Sequence, residues 1–373
     1  MQKLANRLVI GSFLVFIFSL FFLNLIIPDR EKSESENRKL QQFPQFSWSR
    51  LLSGDYMQDF DKYMTDQFIL KDDWVGLKSD LERLFKKSEN NGIYFGKDGY
   101  LLEKFESKGE YFETNLQAIN SFHEKMQDLK TTVMLVPTSV KIYEDKLPLF
   151  AKTYDQRQML LQAKKELNVN LVDVYDILAE HKKEAIYYKM DHHWTTLGAY
   201  YAYQQLLKDW AMVPYLDYQV KTVSSNFYGT YYFKANNRHL KPDEIQIYLP
   251  NEEVDFSLNF GTQEEALIGL YNYDYLNQRD KYSIFLNGNQ ALTVIKSSIH
   301  NGKKLVIFKD SYAHNFAPFL AMHFEEIHLI DLRYFNLNPY DYIRENDFNQ
   351  ALFLYNLSTF GTDTNIKKLS AYH

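Results

Sequence analysis

Five short runs of largely apolar residues alternate with helical periodicity in this 373-residue chain, and no other feature limits its fold as much. The runs are 131–137, 170–174, 305–308, 327–330 and 352–355. Each is too short for a stable helix and suits a strand buried on both faces. Pro137 closes the first, because proline has no N–H with which to continue a ladder. Amphipathic helical patterns at 112–129 and 154–167 precede the first two runs. Strands that alternate with helices pair in parallel. The expected fold is therefore α/β, a doubly wound parallel sheet with helices on both faces.

Open sheets of this kind carry reactive groups at the carboxyl ends of their strands. Lys304-Leu305-Val306-Ile307-Phe308-Lys309-Asp310-Ser311-Tyr312 reads as a buried strand that delivers Asp-Ser to the start of a helix. A serine there has an exposed hydroxyl and nearby backbone N–H groups able to hold an oxyanion. It is also a good helix N-cap, and Asp310 caps equally well. A base for Ser311 stands upstream, in Asp191-His192-His193-Trp194-Thr195-Thr196. In extended chain, residues i and i+2 share a face, so Asp191 and His193 lie together while His192 points away. A carboxylate on Nδ1–H fixes the imidazole tautomer and leaves Nε2 free to take the proton of a nucleophile. Ser311, His193 and Asp191 are the candidate triad, and activity is expected to rise with pH as the imidazole loses its proton. His192 and His314 are rival bases. A metal held by Asp191, His192 and His193 is disfavoured, since neighbours on opposite faces do not converge on one ion, and no cofactor is expected.

Further candidates follow strand ends on the same edge. Tyr312 offers an N–H or hydroxyl to an oxyanion, and Pro137, Lys141 and Tyr143 follow the first strand. Arg333 suits an anionic polymer or a surface ion pair, and Asn356 an oxyanion donor or a turn. Trp194 is expected to pack beside the loop, with stacking on a sugar as the other reading.

The Asp-His-His-Trp block and the Lys-Asp-Ser-Tyr block after it resemble the bacterial DHHW family. That family is similar to the SGNH-like proteins that O-acetylate alginate outside the cytoplasm. Smaller matching pieces are Leu52-Ser53-Gly54-Asp55-Tyr56, Asp66-Gln67-Phe68, Asn91-Gly92-Ile93-Tyr94-Phe95-Gly96, Val136-Pro137 and Leu332-Arg333-Tyr334. The resemblance implies an SGNH-hydrolase-like fold with Asp191, His193 and Ser311 as the triad. Ordinary SGNH hydrolases place Ser first and the Asp/His pair last. Here the order is reversed, as in the alginate proteins, and triads recur in unrelated chain orders.

Residues 8–27 form an apolar run long enough to cross a bilayer as a helix. Lys3 and Arg7 precede it, which places the N-terminus in the cytoplasm and the remainder outside a bacterial cell membrane. A cleaved signal peptide is the competing reading, but Leu25-Ile26-Ile27-Pro28 is bulky where a cleavage site needs small residues. The expected plan has residues 1–28 as cytoplasmic tip and transmembrane anchor. Residues 29–42, with Glu31, Lys32, Glu34, Glu36, Arg38 and Lys39, are a charged linker. Residues 43–373 are an extracytoplasmic domain that begins with a helical region (43–110). Residues 215–290, rich in Asn, Tyr and turn residues, read as a β-rich insertion with strands at 227–232 and 245–248.

A formal net charge of −6 without a basic tract argues against nucleic acid. The absence of cysteine excludes disulfides, thiolate catalysis and cysteine-based zinc sites. Three functions fit. The first is an O-acyltransferase, in which Ser311 takes an acyl group and a sugar hydroxyl receives it; the resemblance supplies the acetyl group and the exported polysaccharide. Acetyl-CoA is not available outside the membrane, so a multi-pass membrane acyltransferase would relay the donor. The second is a carbohydrate esterase or deacetylase with the same triad. The third is a non-catalytic envelope protein that binds glycan or scaffolds an assembly.

Overall fold

All five apolar runs contribute strands to one eight-stranded sheet in the computed structural model, which describes residues 2–33, 38–261 and 266–371. From Lys130 onward the strands, two of which (β3 and β4) lie outside this sheet, are β1 (Lys130–Val136), β2 (Asn170–Leu171), β3 (Tyr218–Phe227), β4 (Asp243–Pro250), β5 (Phe256–Phe260), β6 (Leu267–Ile268), β7 (Leu292–Ser297), β8 (Lys304–Lys309), β9 (Glu326–Ile330) and β10 (Gln350–Asn356). The sheet order is β6-β5-β7-β9-β8-β10-β1-β2. Leu305–Phe308 of β8, Val133–Val136 of β1 and Leu352–Leu354 of β10 are fully buried. The second strand is shorter than the apolar run because Asp173 accepts the Tyr175 N–H at 2.9 Å and turns the chain into a helix.

The sheet is mostly rather than wholly parallel. Strands β9, β8, β10, β1 and β2 run parallel, whereas β7, β5 and β6 extend the edge antiparallel. The connection from β7 to β8 spans only residues 298–303. A parallel crossover needs a dozen residues or more, so this short link reverses the chain.

Helices cover both faces. The register Leu352↔Thr132 and Phe353↔Val133 puts Phe353 and Thr132 on opposite sides. Helix Phe112–Lys125 sets Phe122 against Phe353 and Phe308, with centroids 5.2 and 5.3 Å apart. On the other side Trp210, closing helix Thr196–Asp209, donates its indole N–H to Thr132 Oγ1 at 3.0 Å. The chain leaves β8 for β9 on one flank and later returns to β10 on the other. That reversal marks the crevice where open sheets bind ligands, and Ser311 stands just beyond the carboxyl end of β8.

Residues 215–290 differ from the expected insertion in two ways. Strands β5 and β6 belong to the main sheet, and β3 and β4 form a separate antiparallel pair. The stretch 227–232 is not a strand, since Phe227 ends β3 and Thr230–Ala235 is a helix.

The chain divides into two units, Met1–Lys87 with Asn236–His239, and Ser88–Ala235 with Leu240–His373. The main sheet and a small antiparallel sheet of Glu89–Asn90, Ile93–Phe95 and Leu101–Glu103 belong to the second. In the first, helix Gln2–Ile26 has no buried residue. Helices Trp48–Ser53, Asp55–Asp66 and Lys71–Leu84 cluster with it rather than with the sheet. Within 29–42, Lys32–Ser33 pairs with Arg38–Lys39, and Arg38 donates to buried Asp66 at 2.7 Å. Glu34 and Glu36 lie outside the described residues.

Candidate active site

Asp191 and His193 meet in a tight loop, not in an extended strand. The loop is closed by a bridge between Tyr187 and Trp194. Asp191 Oδ1 accepts the His193 backbone N–H at 3.0 Å and the ring Nδ1 at 2.5 Å, so one oxygen fixes both the turn and the imidazole. Asp191 Oδ2 accepts the Thr230 N–H at 2.8 Å. Gly229 passes so close that any Cβ there would overlap the Asp191 carboxylate. Asp243 steadies the same loop from β4 by accepting the N–H groups of Met190 (2.9 Å) and Lys189 (3.2 Å). Because the loop bends, His192 does not point away. Its Nδ1 lies 3.6 Å from Asp191 Oδ1, and its ring centroid is 3.7 Å from that of His193.

His193 Nε2 lies 2.7 Å from Ser311 Oγ, across 118 positions of sequence. The turn that carries Ser311 is a single turn of 3-10 helix, Ser311–Ala313, instead of a continuous helix. Asp310 Oδ1 caps it through the Tyr312 N–H at 2.8 Å, and Oδ2 accepts the N–H (2.8 Å) and Nδ2 (2.7 Å) of Asn356 at the end of β10. Four hydrogen bonds clip this turn and the following Asn315 to the loop that carries Asp191 and His193. Trp194 Nε1 donates to the Tyr312 carbonyl (3.0 Å) and to Asn315 Oδ1 (2.7 Å), and Asn315 Nδ2 donates to the Trp194 carbonyl (3.1 Å). The Tyr312 hydroxyl donates to the His192 carbonyl at 2.5 Å. Tyr282 completes the site, its ring stacked on His193 at 3.7 Å and 11° and its hydroxyl donating to the Ser311 carbonyl at 3.1 Å.

The DHHW protein family model matches residues 105–330, more than half of the chain. The chain belongs to the DHHW family. Among solved structures, a DHHW family protein from Eubacterium siraeum is 28% identical with a TM-score of 0.67, over 76% of this chain and 96% of its own. PatB1 of Bacillus cereus is 23% identical with a TM-score of 0.60, over 73% of this chain and 97% of its own. PatB1 with a sulfonyl adduct matches at 21% identity and a TM-score of 0.59, over 74% of this chain and 99% of its own. No curated protein matches.

In this DHHW protein the candidate base and its carboxylate are out of water, with Asp191 3% and His193 5% exposed. Burial opposes charge on Asp191, yet the two imidazoles beside it hold the carboxyl well below its ordinary value. Burial, together with the charge of His192, pushes His193 down to about 4 despite the pull of Asp191. The half-buried His192 is raised, because Asp191 outweighs its desolvation. At neutral pH the arrangement is an anionic carboxylate, a neutral His193 and a serine hydroxyl in one line. The basis for disfavouring a metal changes as well, since ligand atoms of Asp191, His192 and His193 do converge within 4.8 Å. Both ring nitrogens of His193 are already engaged by Asp191 and Ser311.

The remaining candidates divide. Tyr312 and Asn356 stand beside Ser311, but their donors are committed: Tyr312 N–H to Asp310, its hydroxyl to His192, and Asn356 Nδ2 to Asp310 and Thr359 Oγ1. Among the described residues the Ser311 N–H has no hydrogen-bond partner. Pro137 uses its carbonyl to accept the Tyr187 hydroxyl at 2.5 Å. Lys141 is buried and paired with Asp155 (2.7 Å) and Glu144 (2.9 Å), and Tyr143 is buried against Tyr100. Arg333 makes a bidentate pair with Asp331 (2.8 and 2.6 Å), which also pairs with buried Lys309. His314 Nε2 lies 2.8 Å from Lys309 Nζ, so this rival base is turned to the lysine. A polar cavity of ≈ 110 Å³ opens beside His192 and Tyr312, lined also by Glu103, Thr138, Tyr231 and Thr359. Sequence reasoning missed Gly229, Thr230, Asp243, Asn315 and Tyr282. A Phe-Tyr-Gly-Thr run was the only signal for the first two, and Tyr282 is one of 29 tyrosines.

Proposed function

We propose that this protein is a membrane-anchored serine O-acyltransferase that modifies hydroxyl groups of an exported or cell-surface polysaccharide, with acetyl as the acyl group. The carrying observation is the unbroken line from Ser311 Oγ to His193 Nε2 (2.7 Å) and from His193 Nδ1 to Asp191 Oδ1 (2.5 Å). In the proposed reaction Ser311 Oγ attacks an acyl ester as His193 takes its proton, with Asp191 stabilising the imidazolium. The donor's C–O bond breaks and His193 returns the proton to the leaving alkoxide. A sugar hydroxyl then attacks the acyl-serine, again through His193, and restores the free serine. The unpaired Ser311 N–H is the proposed oxyanion donor.

Acetyl and glycan come from the resemblance to proteins that O-acetylate alginate. Helix Gln2–Ile26, apolar and unburied, is the proposed single-pass anchor, with Lys3 and Arg7 on the cytoplasmic side. The acyl group would then reach Ser311 from a multi-pass membrane acyltransferase. The test is incubation with an activated acetyl ester and oligosaccharides, followed by mass spectrometry of both protein and sugar. An acetyl adduct on Ser311 that passes to the sugar, and is absent from Ser311→Ala, supports the proposal. Deacylation by water under every acceptor favours the esterase. No adduct, and equal labelling of wild type, Ser311→Ala and His193→Ala by a serine-directed phosphonate, leaves the non-catalytic reading.

A further inference from the structure

The helix Lys71–Leu84 carries its polar and apolar faces the opposite way from a soluble amphipathic helix. Trp74, Leu77, Leu81 and Leu84 recur at helical spacing on one face. They are exposed by 37, 46, 48 and 74%, and Phe85 just beyond by 82%. The charged face is the one turned to protein. Asp73 and Asp80 each pair with Arg238 at 3.2 Å, Asp80 also with His239 at 3.2 Å, and Arg83 donates to Asn237. Gly76 lies beneath the Arg238 guanidinium, where a Cβ would collide with it. The apolar stripe is left for the surroundings.

We propose that this stripe is embedded in the lipid bilayer, giving the protein a second membrane contact beside its N-terminal helix. The inference rests on the reading of Gln2–Ile26 as a membrane span. Lipid is the occupant because the two helices touch at membrane depth. Ile69, just before the helix, donates its N–H to Asn24 Oδ1 at 2.8 Å, and Trp74 packs edge-on against Phe16 with centroids 6.3 Å apart. At ~1.5 Å per residue, Phe16 lies about 15 Å along the axis from Ile26. That distance falls within a hydrocarbon layer ~30 Å thick. A helix whose first turn is held there presents its leucines to acyl chains, and the charges of its other face are paired, Asp73 and Asp80 with Arg238.

The chain contains no cysteine, so single cysteines take a nitroxide label without background. Full-length protein in phospholipid vesicles is labelled at Leu77→Cys, Leu81→Cys, Leu14→Cys on the N-terminal helix, and Lys62→Cys, an exposed site. Collisions with oxygen and with a water-soluble nickel chelate report depth. The expected result is that labels 77 and 81 join label 14, with nickel accessibility several-fold below that of label 62 and oxygen accessibility above it. Water-like values at 77 and 81 with label 14 deep overturn this inference and leave the anchor intact. Water-like values at label 14 overturn the anchor and the inference together. Low accessibility to both reagents at 77 and 81 means that protein, a second copy or a partner, covers the stripe, and this also overturns it.

Discussion

Replacing Asp191 by Asn tests the electrostatic core of the site with little change of shape. Ser311 has a basic partner only while His193 keeps its Nδ1–H on Asp191 Oδ1, at 2.5 Å. When His193 takes the serine proton it becomes an imidazolium whose charge lies roughly 4 Å from that of the carboxylate. At an effective dielectric near 20 this attraction is ~4 kcal/mol. Converted at ~1.4 kcal/mol per tenfold, its loss slows the reaction by about 10³. The amide has no innocent orientation. The carboxylate accepts three donors, His193 N–H and Nδ1–H on Oδ1 and Thr230 N–H on Oδ2. If the Asn oxygen faces His193, its NH2 opposes the Thr230 N–H. If it faces Thr230, the NH2 opposes the His193 N–H and forces the ring tautomer that presents Nε2–H to Ser311. A buried donor facing a donor costs about 1–3 kcal/mol of stability. The assay is kcat/KM for an acetyl ester, with thermal unfolding to verify the fold. An Asp191→Asn protein that stays folded and keeps more than about a tenth of wild-type activity refutes the reasoning.

Gly229→Ala drives a methyl into the Asp191 carboxylate; overpacking of this kind costs about 1–3 kcal/mol, so activity should drop at least tenfold with no chemical group altered, as ester turnover will show. Tyr282→Phe loses only the hydroxyl bond to the Ser311 carbonyl, about 1 kcal/mol, whereas Tyr282→Ala also uncovers His193 and should lower kcat well beyond the Phe variant; equal losses would assign the effect to the hydroxyl alone. The pH profile should place its acid limb lower than a free imidazole would. His193 works as a base only when neutral, and its value lies at about 4 instead of 6.5, so activity is full above 6.5 and lost as pH falls through about 4. A limb centred at or above 6.5 in kcat/KM would show that His193 is not held in its neutral form.

The parallel part of the sheet was legible because burial on both faces leaves a local signature. Val133–Val136, Leu305–Phe308 and Leu352–Leu354 have no polar side to show. The antiparallel edge was not. Phe256–Phe260 and Leu292–Ser297 mix polar with apolar residues, as half-covered strands do, and their direction follows from the short 298–303 link more than from composition. The helix Thr230–Ala235 reads as strand in the sequence because Tyr and Phe favour strands intrinsically. The contact that decides it, Asp191 on the Thr230 N–H, comes from 39 positions away.

In the site, what chemistry specifies by side-chain identity could be read, and what it specifies through the backbone could not. A carboxylate, an imidazole and an alcohol are the three groups that the proposed relay calls for, so Asp191, His193 and Ser311 stand out in sequence. Yet Asp191 and His193 do not lie together by strand alternation. They meet because one carboxylate oxygen accepts both the N–H and the ring of the same histidine. Strand alternation would have tolerated almost any neighbour, whereas this turn needs an acceptor at 191, a glycine at 229 and a free N–H at 230. The same loop brings His192 close enough to share Asp191, so its charge depresses His193, an effect that no period-2 argument contains. The proposed relay therefore owes its pairing to side chains, and its poise to a backbone turn.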